Sequence, residues 1–217
     1  GVGFPDEYQA VINVGTGSQV AMLNTNLKRL DLERRRLVNG DNAFIISHIP
    51  SGRALNVIAN FLDEFSSISG GIPNFWNIWS KLDSRDILGA ENINDLGFFK
   101  SAWSLRPRIV DFGTLGFKEG KSSINEVMCS VARSWVAQYV DALKLLDNEG
   151  CIKKVCLSGG LVQKSPFFIE VMKELMPQYI FECMLCETGE ETIDGLLKIA
   201  RNYIASKDQP LSLSNIN

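Results

Sequence analysis

Histidine is nearly absent: His48 is the only one among 217 residues. A Ser-His-Asp or Cys-His hydrolase would have to draw its base from Phe44-Ile45-Ile46-Ser47-His48-Ile49-Pro50, a run that reads as a strand, so triad chemistry is disfavoured. The five cysteines (Cys129, Cys151, Cys156, Cys183 and Cys186) form an odd set. Three of them fall in apolar runs, where free thiols behave as small buried hydrophobes, and a reducing, cytoplasmic address is expected. Cys183-Met184-Leu185-Cys186 has zinc-ligand spacing, but no second pair exists and the segment reads as a core strand. Basic excess is lacking too. Lys and Arg number 22 against 25 Asp and Glu, for a formal charge of −3, and a net negative field attracts neither nucleic acid nor an anionic membrane. No apolar run approaches the roughly 20 residues that span a bilayer. The nucleotide signatures Gly-x-Gly-x-x-Gly and Gly-x-x-x-x-Gly-Lys-Ser/Thr are both missing, which removes the main support for a Rossmann oxidoreductase or a Walker-type NTPase.

What remains is a globular balance, 45% hydrophobic and 22% charged, in a chain long enough to bury about 70% of its unfolded surface without staples. The opening Gly1-Val2-Gly3 looks like a cut, and the chain is expected to be a soluble piece of something longer. Gln9 to Val14 reads as a strand that breaks at Gly15-Thr16-Gly17-Ser18 and resumes from Gln19 to Leu23, a hairpin pattern. Leu32 to Val38 and Phe44 to Ile49 flank Asn39-Gly40, the strongest short hairpin signal. After Pro50-Ser51-Gly52, Ala54, Leu55, Ile58, Ala59, Leu62 and Phe65 recur at helical spacing. Residues 69–121 are irregular, rich in Gly, Pro and aromatics, and are read as an insertion of short helices and turns. Ser123 with Glu126 forms a capping box for a long helix that stops at Gly150. A buried strand (Ile152 to Leu157), the break Ser158-Gly159-Gly160, a helix from about Ser165 to Met176, a strand from Tyr179 to Leu185 and a closing helix from about Glu190 to Ala205 imply right-handed crossovers and a parallel sheet edge.

The chemistry is expected at three glycine breaks: Gly15-Thr16-Gly17, Ser51-Gly52-Arg53 and Ser158-Gly159-Gly160. Glycine lets the backbone approach a ligand closely, and a helix N-terminus adds partial positive charge suited to phosphate. A hairpin tip can wrap phosphate oxygens with successive N–H groups.

The order of these breaks resembles one half of an actin-like ATPase, and specifically the C-terminal domain of the FGGY carbohydrate kinases. Asn13-Val14-Gly15-Thr16-Gly17-Ser18-Gln19-Val20 is similar to that family's phosphate-binding hairpin, with the sedoheptulokinase-like branch nearest in form. Lys154-Val155-Cys156-Leu157-Ser158-Gly159-Gly160 is similar to the strand and turn that carry the adenosine site. Glu190-Glu191-Thr192-Ile193-Asp194-Gly195-Leu196-Leu197 sits where the family usually shows two acids, two alanines, a variable residue and Gly-Ala-Ala; only Gly195 keeps that pattern. The resemblance covers essentially the whole chain and is weakest over 69–121.

The resemblance implies an α/β actin-like (ribonuclease H-like) domain with a mixed sheet: antiparallel hairpins, then βαβα, with helices on both faces. It implies ATP and Mg²⁺ as cofactors. Thr16 would contact the γ- or β-phosphate side, with Gly15 and Gly17 allowing close approach; Gly52 would lie along the nucleotide and Asn56 would face it. Gly159 and Gly160 would border the adenosine, and Lys164 stands where the family often has Asn or Ser. The partners implied are ATP, a small sugar or polyol, and an N-terminal domain of the same chain, with a homodimer possible. The catalytic aspartate is expected upstream of Gly1; Asp6 and Glu7 do not match its motif. The full protein would phosphorylate a ketose or polyol, sedoheptulose or similar, and the 217 residues alone would be inactive. Two alternatives compete with this reading: a catalytically silent actin-like nucleotide sensor or scaffold, to which Lys164 and the bulky Thr192 to Leu197 stretch lend weight, and a protein-binding domain using Trp76, Trp79 and Trp103, for which ordinary burial is the simpler account.

Overall fold

A computed structural model describes residues 9–23, 32–37, 42–91, 116–120 and 122–183, together with Leu197, Ala200, Arg201 and Ile204. Asp6, Glu7, Asn39 to Asp41, Trp103, Cys186 and the Glu190 to Leu196 stretch lie outside them, as do the opening glycines. Of the closing helix, the four described residues are helical.

The described residues form one six-stranded sheet in the order β3-β4-β2-β1-β5-β6. β1 (Ala10–Val14) and β2 (Gly17–Leu23) make the expected hairpin, paired from Ala10 with Met22 to Val14 with Ser18. β4 (Asn42–Pro50) runs antiparallel to β2 on one side and to β3 (Glu33–Arg36) on the other. All four β3 residues are exposed, which suits a charged strand guarding a sheet edge. β5 (Lys154–Ser158) pairs parallel with β1, and β6 (Ile180–Cys183) parallel with β5. This is the mixed sheet with a parallel edge that the strand and helix order implied.

β1 is the keel. Ala10, Ile12 and Val14 are fully buried and Val11 nearly so, as a strand flanked on both edges requires. Side chains alternate along β2 and β4: Val20, Met22, Phe44 and Ile46 enter the large core, while Ala21, Ala43 and Ile45 form a small cluster on the opposite face. On the large-core side lies α4 (Ile124–Leu146), whose capping box is formed, with Ser123 accepting from the Glu126 amide and Glu126 reaching back to the Ser123 amide. Its core face includes Trp135, Tyr139 and Leu143, all fully buried.

α1 (Gly52–Ile68) follows β4, and the segment expected as an irregular insertion holds two short helices, α2 (Phe75–Trp79) and α3 (Ser84–Gly89). They are wired into the core. Trp79 is fully buried, with its ring 5.6 Å from Trp135 and 5.3 Å from Phe167, and its indole N–H donates to Ser165 Oγ at 2.8 Å. A buried indole needs such an acceptor. After β5 the expected helix forms as α6 (Phe167–Leu175), and a short helix not expected from the sequence, α5 (Gly160–Lys164), precedes it. Pro166 lacks an amide to donate into a continuous ladder, so the two do not join.

Candidate functional site

β1, β4, β5 and β6 all run the same way, so the carboxyl ends of β1 at Val14, β4 at Pro50 and β5 at Ser158 meet along one edge of the sheet. Each end is followed at once by one of the three glycine breaks. In open α/β sheets the crevice outside the carboxyl ends of the strands is where ligands bind.

The breaks touch one another. Gly52 N–H donates to Gly15 O at 3.1 Å and Arg53 N–H to Thr16 O at 2.9 Å, so the first two amides of α1 hold the hairpin tip from one side. A Cβ on Gly52 would stand 3.0 Å from Gly15 O and 3.1 Å from both Thr16 Cα and Leu161 Cδ1. On the other side Gly159 lies against β1: a Cβ there would fall 2.3 Å from Val14 O and 2.6 Å from Val14 C. Gly159 also has φ of +101°, which side-chain-bearing residues rarely adopt. Asn13 Nδ2 donates to Ser158 Oγ at 3.0 Å and ties the two strand ends together.

Gly159 is therefore a glycine because the Val14 backbone passes too close for a Cβ, and at Gly52 the hairpin tip and Leu161 would have to give way by a few tenths of an ångström to admit one. The first two α1 amides are taken by hairpin carbonyls. Gly17 and Gly160 are the opposite case. A Cβ on either meets no atom within 4 Å, and the Thr16 side chain is exposed at the hairpin tip. These three residues present open space at the strand-end edge. Asn56 is exposed on α1, four residues beyond Gly52. Lys164 closes α5 with its ammonium 5.5 Å from the centre of the Trp76 ring, a cation held on an aromatic face.

Beneath the breaks lies a buried network that motif reading missed. Ser51 is fully buried immediately before Gly52, and its hydroxyl accepts from Trp135 Nε1 at 3.3 Å and from the Tyr139 hydroxyl at 3.1 Å. Burial pushes the Tyr139 phenol up to about 12 despite its hydrogen bonds with Ser18 and Ser51. Ser18 in turn accepts from Gly15 N–H at 3.3 Å. Two residues of α4 thus fix both the hairpin tip and the start of α1. The available signal was the spacing of Trp135 and Tyr139, one turn apart on α4, together with a serine preceding a glycine break.

A cavity of about 370 Å³ lies between α3 and the start of α4 and is lined by Asp86, Glu91, Lys118, Glu126, Cys129 and Ser130 among others. None of the predicted site residues lines it. Burial, then the charges of Asp86, Asp83 and Glu126, push the Cys129 thiol up to about 11, so it is a poor nucleophile. Cys129, Cys151, Cys156 and Cys183 are free thiols. Among the described residues no group of three His, Cys, Asp or Glu side chains could hold a metal ion, and no helix is long and apolar enough to cross a membrane.

No family model and no curated protein matches the sequence. Solved structures do match. A ligand-bound xylulose kinase from Lactobacillus acidophilus superposes with a TM-score of 0.66 at 14% identity, over 93% of this chain and 39% of the kinase. The chain has the actin-like ATPase fold. A gluconate kinase from the same organism gives 0.64 at 13% identity, again over 93% of this chain and 39% of that one. A Plasmodium falciparum glycerol kinase with ADP gives 0.54 at 14% identity over 87% and 37%. The chain thus spans about two-fifths of the length of these kinases, and this actin-like domain has its three glycine breaks on one edge of the sheet.

Proposed function

We propose that the chain is the C-terminal, ATP-binding domain of a carbohydrate kinase of the FGGY type. In the full protein a preceding lobe would supply the sugar site and the carboxylate that accepts the hydroxyl proton. The observation that carries this reading is the mutual contact of the three glycine breaks at the strand ends. Gly52 and Gly159 hold the corner shut through the protein's own backbone, while Thr16, Gly17 and Gly160 leave room for a ligand. Thr16 and the amides at the hairpin tip would orient the phosphates, Gly160 would border the adenosine, and Asn56, with both donor and acceptor, would face the nucleotide from α1. Lys164 would support that wall through Trp76. With no acidic cluster among the described residues, Mg²⁺ would be held through the phosphates and by groups in the other lobe. ATP supplies the phosphoryl group; this chain binds and positions it.

The acceptor we favour is a ketose or polyol, sedoheptulose or a relative, on the strength of Gln19-Val20 after the hairpin tip. The isolated chain is expected to bind nucleotide and to turn over no sugar. A thermal-shift titration with ATP and ADP tests this. A ligand at about ten times its Kd adds roughly 1.4 kcal/mol to stability, which for a chain of this size raises the melting temperature by about 3–5 °C. No shift at millimolar nucleotide, with or without Mg²⁺, would remove the reading.

A further inference from the structure

We propose that the cavity between α3 and the start of α4 is a binding site for a primary alkylamine, which it takes with the ammonium at its mouth and the hydrocarbon tail on its floor. The cavity encloses about 370 Å³, within the range of small-molecule sites, and it shares no residue with the glycine corner. Its mouth is acidic. Asp86, Glu91 and Glu126 line it and are exposed. Lys118, the one cation among the described lining residues, sets its ammonium 2.7 and 2.9 Å from the two Glu91 carboxylate oxygens. That pair is neutral, which leaves Asp86 and Glu126 to decide the sign of the field. Glu126 also accepts from Ser123 in the capping box, whereas the Asp86 carboxylate accepts no hydrogen bond and forms no ion pair among the described residues.

Behind the mouth the wall turns apolar. Val127 is 6% exposed and Cys129 2% exposed, and the Cys129 thiol lines the cavity as a buried free thiol with no hydrogen-bond partner among the described residues. The mouth charges reach it: after burial, Asp86 and Glu126 are among the groups that hold this thiol protonated. This division of charge and burial chooses the ligand. A phosphate or carboxylate would meet like charge, and no group of three His, Cys, Asp or Glu among the described residues could hold a metal ion. An alkylamine satisfies both parts, its N–H groups donating to Asp86 and its methylenes lying against Val127 and Cys129. Lys118 shows the same chemistry within the chain, an ammonium on a four-carbon stem seated on a mouth carboxylate. A diamine fits worse, because its second charge would have to enter the apolar floor unpaired.

Titration of the chain with n-butylamine, at neutral pH and constant ionic strength and read by ligand-observed NMR, tests the proposal. Saturable binding is expected in the millimolar range, as so small a ligand allows. Each buried methylene is worth about fourfold in affinity, so methylamine should bind at least about tenfold more weakly. The same loss is expected for n-butanol, which keeps the tail without the charge, and for putrescine, which carries a second charge. Asp86→Asn should weaken n-butylamine by about tenfold or more, since a hydrogen bond to a charged group is lost, while circular dichroism stays that of the wild type. Gly89→Leu tests the space without touching a charge: Gly89 lines the cavity and a Cβ there meets nothing within 4 Å, so the leucine should leave the fold intact and take up ligand volume. If Asp86→Asn fails to fold, Gly89→Leu decides alone. No saturable binding up to about 20 mM, n-butanol or methylamine binding as tightly as n-butylamine, or a folded variant with wild-type affinity overturns the proposal. Nucleotide enters none of these readouts, so the amine site and the kinase reading are decided separately.

Discussion

Gly159→Ala isolates the idea that the corner is closed by backbone. Its Cβ would stand 2.3, 2.6 and 2.8 Å from the carbonyl oxygen, carbonyl carbon and nitrogen of Val14. These are main-chain atoms of a strand paired on both edges, so no rotamer change relieves the clash. Overpacking of this kind costs about 1–3 kcal/mol, and placing a side chain at φ +101° and ψ 145° adds about 1–3 kcal/mol. The sum is about 2–6 kcal/mol, or a fall of about 4–24 °C in melting temperature. Gly160→Ala is the control one residue along: its Cβ meets nothing within 4 Å, and alanine suits a helix better by about 0.5–1 kcal/mol. Urea denaturation followed by tryptophan fluorescence should therefore show the first variant severely destabilised and the second as stable as wild type. In ATP titrations the stable variant should lose at least tenfold in affinity, because its methyl occupies ligand space. A Gly159→Ala protein within 1 kcal/mol of wild type, or a Gly160→Ala protein that binds ATP normally, would refute the division into closing and ligand-facing glycines.

Ser51→Ala leaves the Trp135 N–H and the Tyr139 hydroxyl without their shared acceptor in a buried setting, and should cost about 2–3 kcal/mol by denaturant titration, with nucleotide affinity falling as the corner loosens. Thr16→Val removes an exposed hydroxyl and is expected to leave stability within about 0.5 kcal/mol while weakening ATP binding measurably by calorimetry. Alkaline unfolding should come early. Tyr139 and Tyr179 keep their protons to about pH 12, both chiefly through burial, Tyr179 also through Asp147, whereas unfolded tyrosine releases its proton near 10. Because the folded pKa is raised, the stability they contribute is complete below pH 10 and is lost as pH climbs toward 12. Cys129 adds an earlier loss between about 9 and 11, and Tyr139→Phe should flatten the upper part of the profile.

The strands, the long helix and the three glycine breaks were legible because each depends on local chemistry. Short, nearly continuous apolar runs make Ala10–Val14 and Lys154–Ser158, and Ser123 with Glu126 caps α4 within a single turn. Harder to read was whatever depends on distant partners. Residues 75–89 look irregular because α2 and α3 have only 5 and 6 residues, too short for a helical period to register, yet Trp79 is a fully buried centre of the core. The role of Ser51 is invisible in sequence because its partners Trp135 and Tyr139 lie 84 and 88 positions away. The two reasons for a glycine also look identical until backbone is brought against it: Gly159 and Gly160 are neighbours in sequence, but only the former abuts β1.

That distinction bears on why the fold persists with so little sequence in common. At 14% identity to a xylulose kinase, with a TM-score of 0.66, little side-chain chemistry is shared. A corner built from main-chain amides and carbonyls asks little of side chains, however: Gly52 and Arg53 donate from backbone to the backbone of Gly15 and Thr16. The constraint falls on the absence of Cβ atoms at a few positions and on large buried groups that hold the corner from below. Among these are the Trp135 and Phe168 rings, 5.0 Å apart, and Tyr139 and Phe168, 5.2 Å apart. If this reasoning holds, replacing the exposed residues around the corner should be tolerated, whereas trimming Tyr139 or Phe168 to alanine should cost about 3–5 kcal/mol and nucleotide binding together.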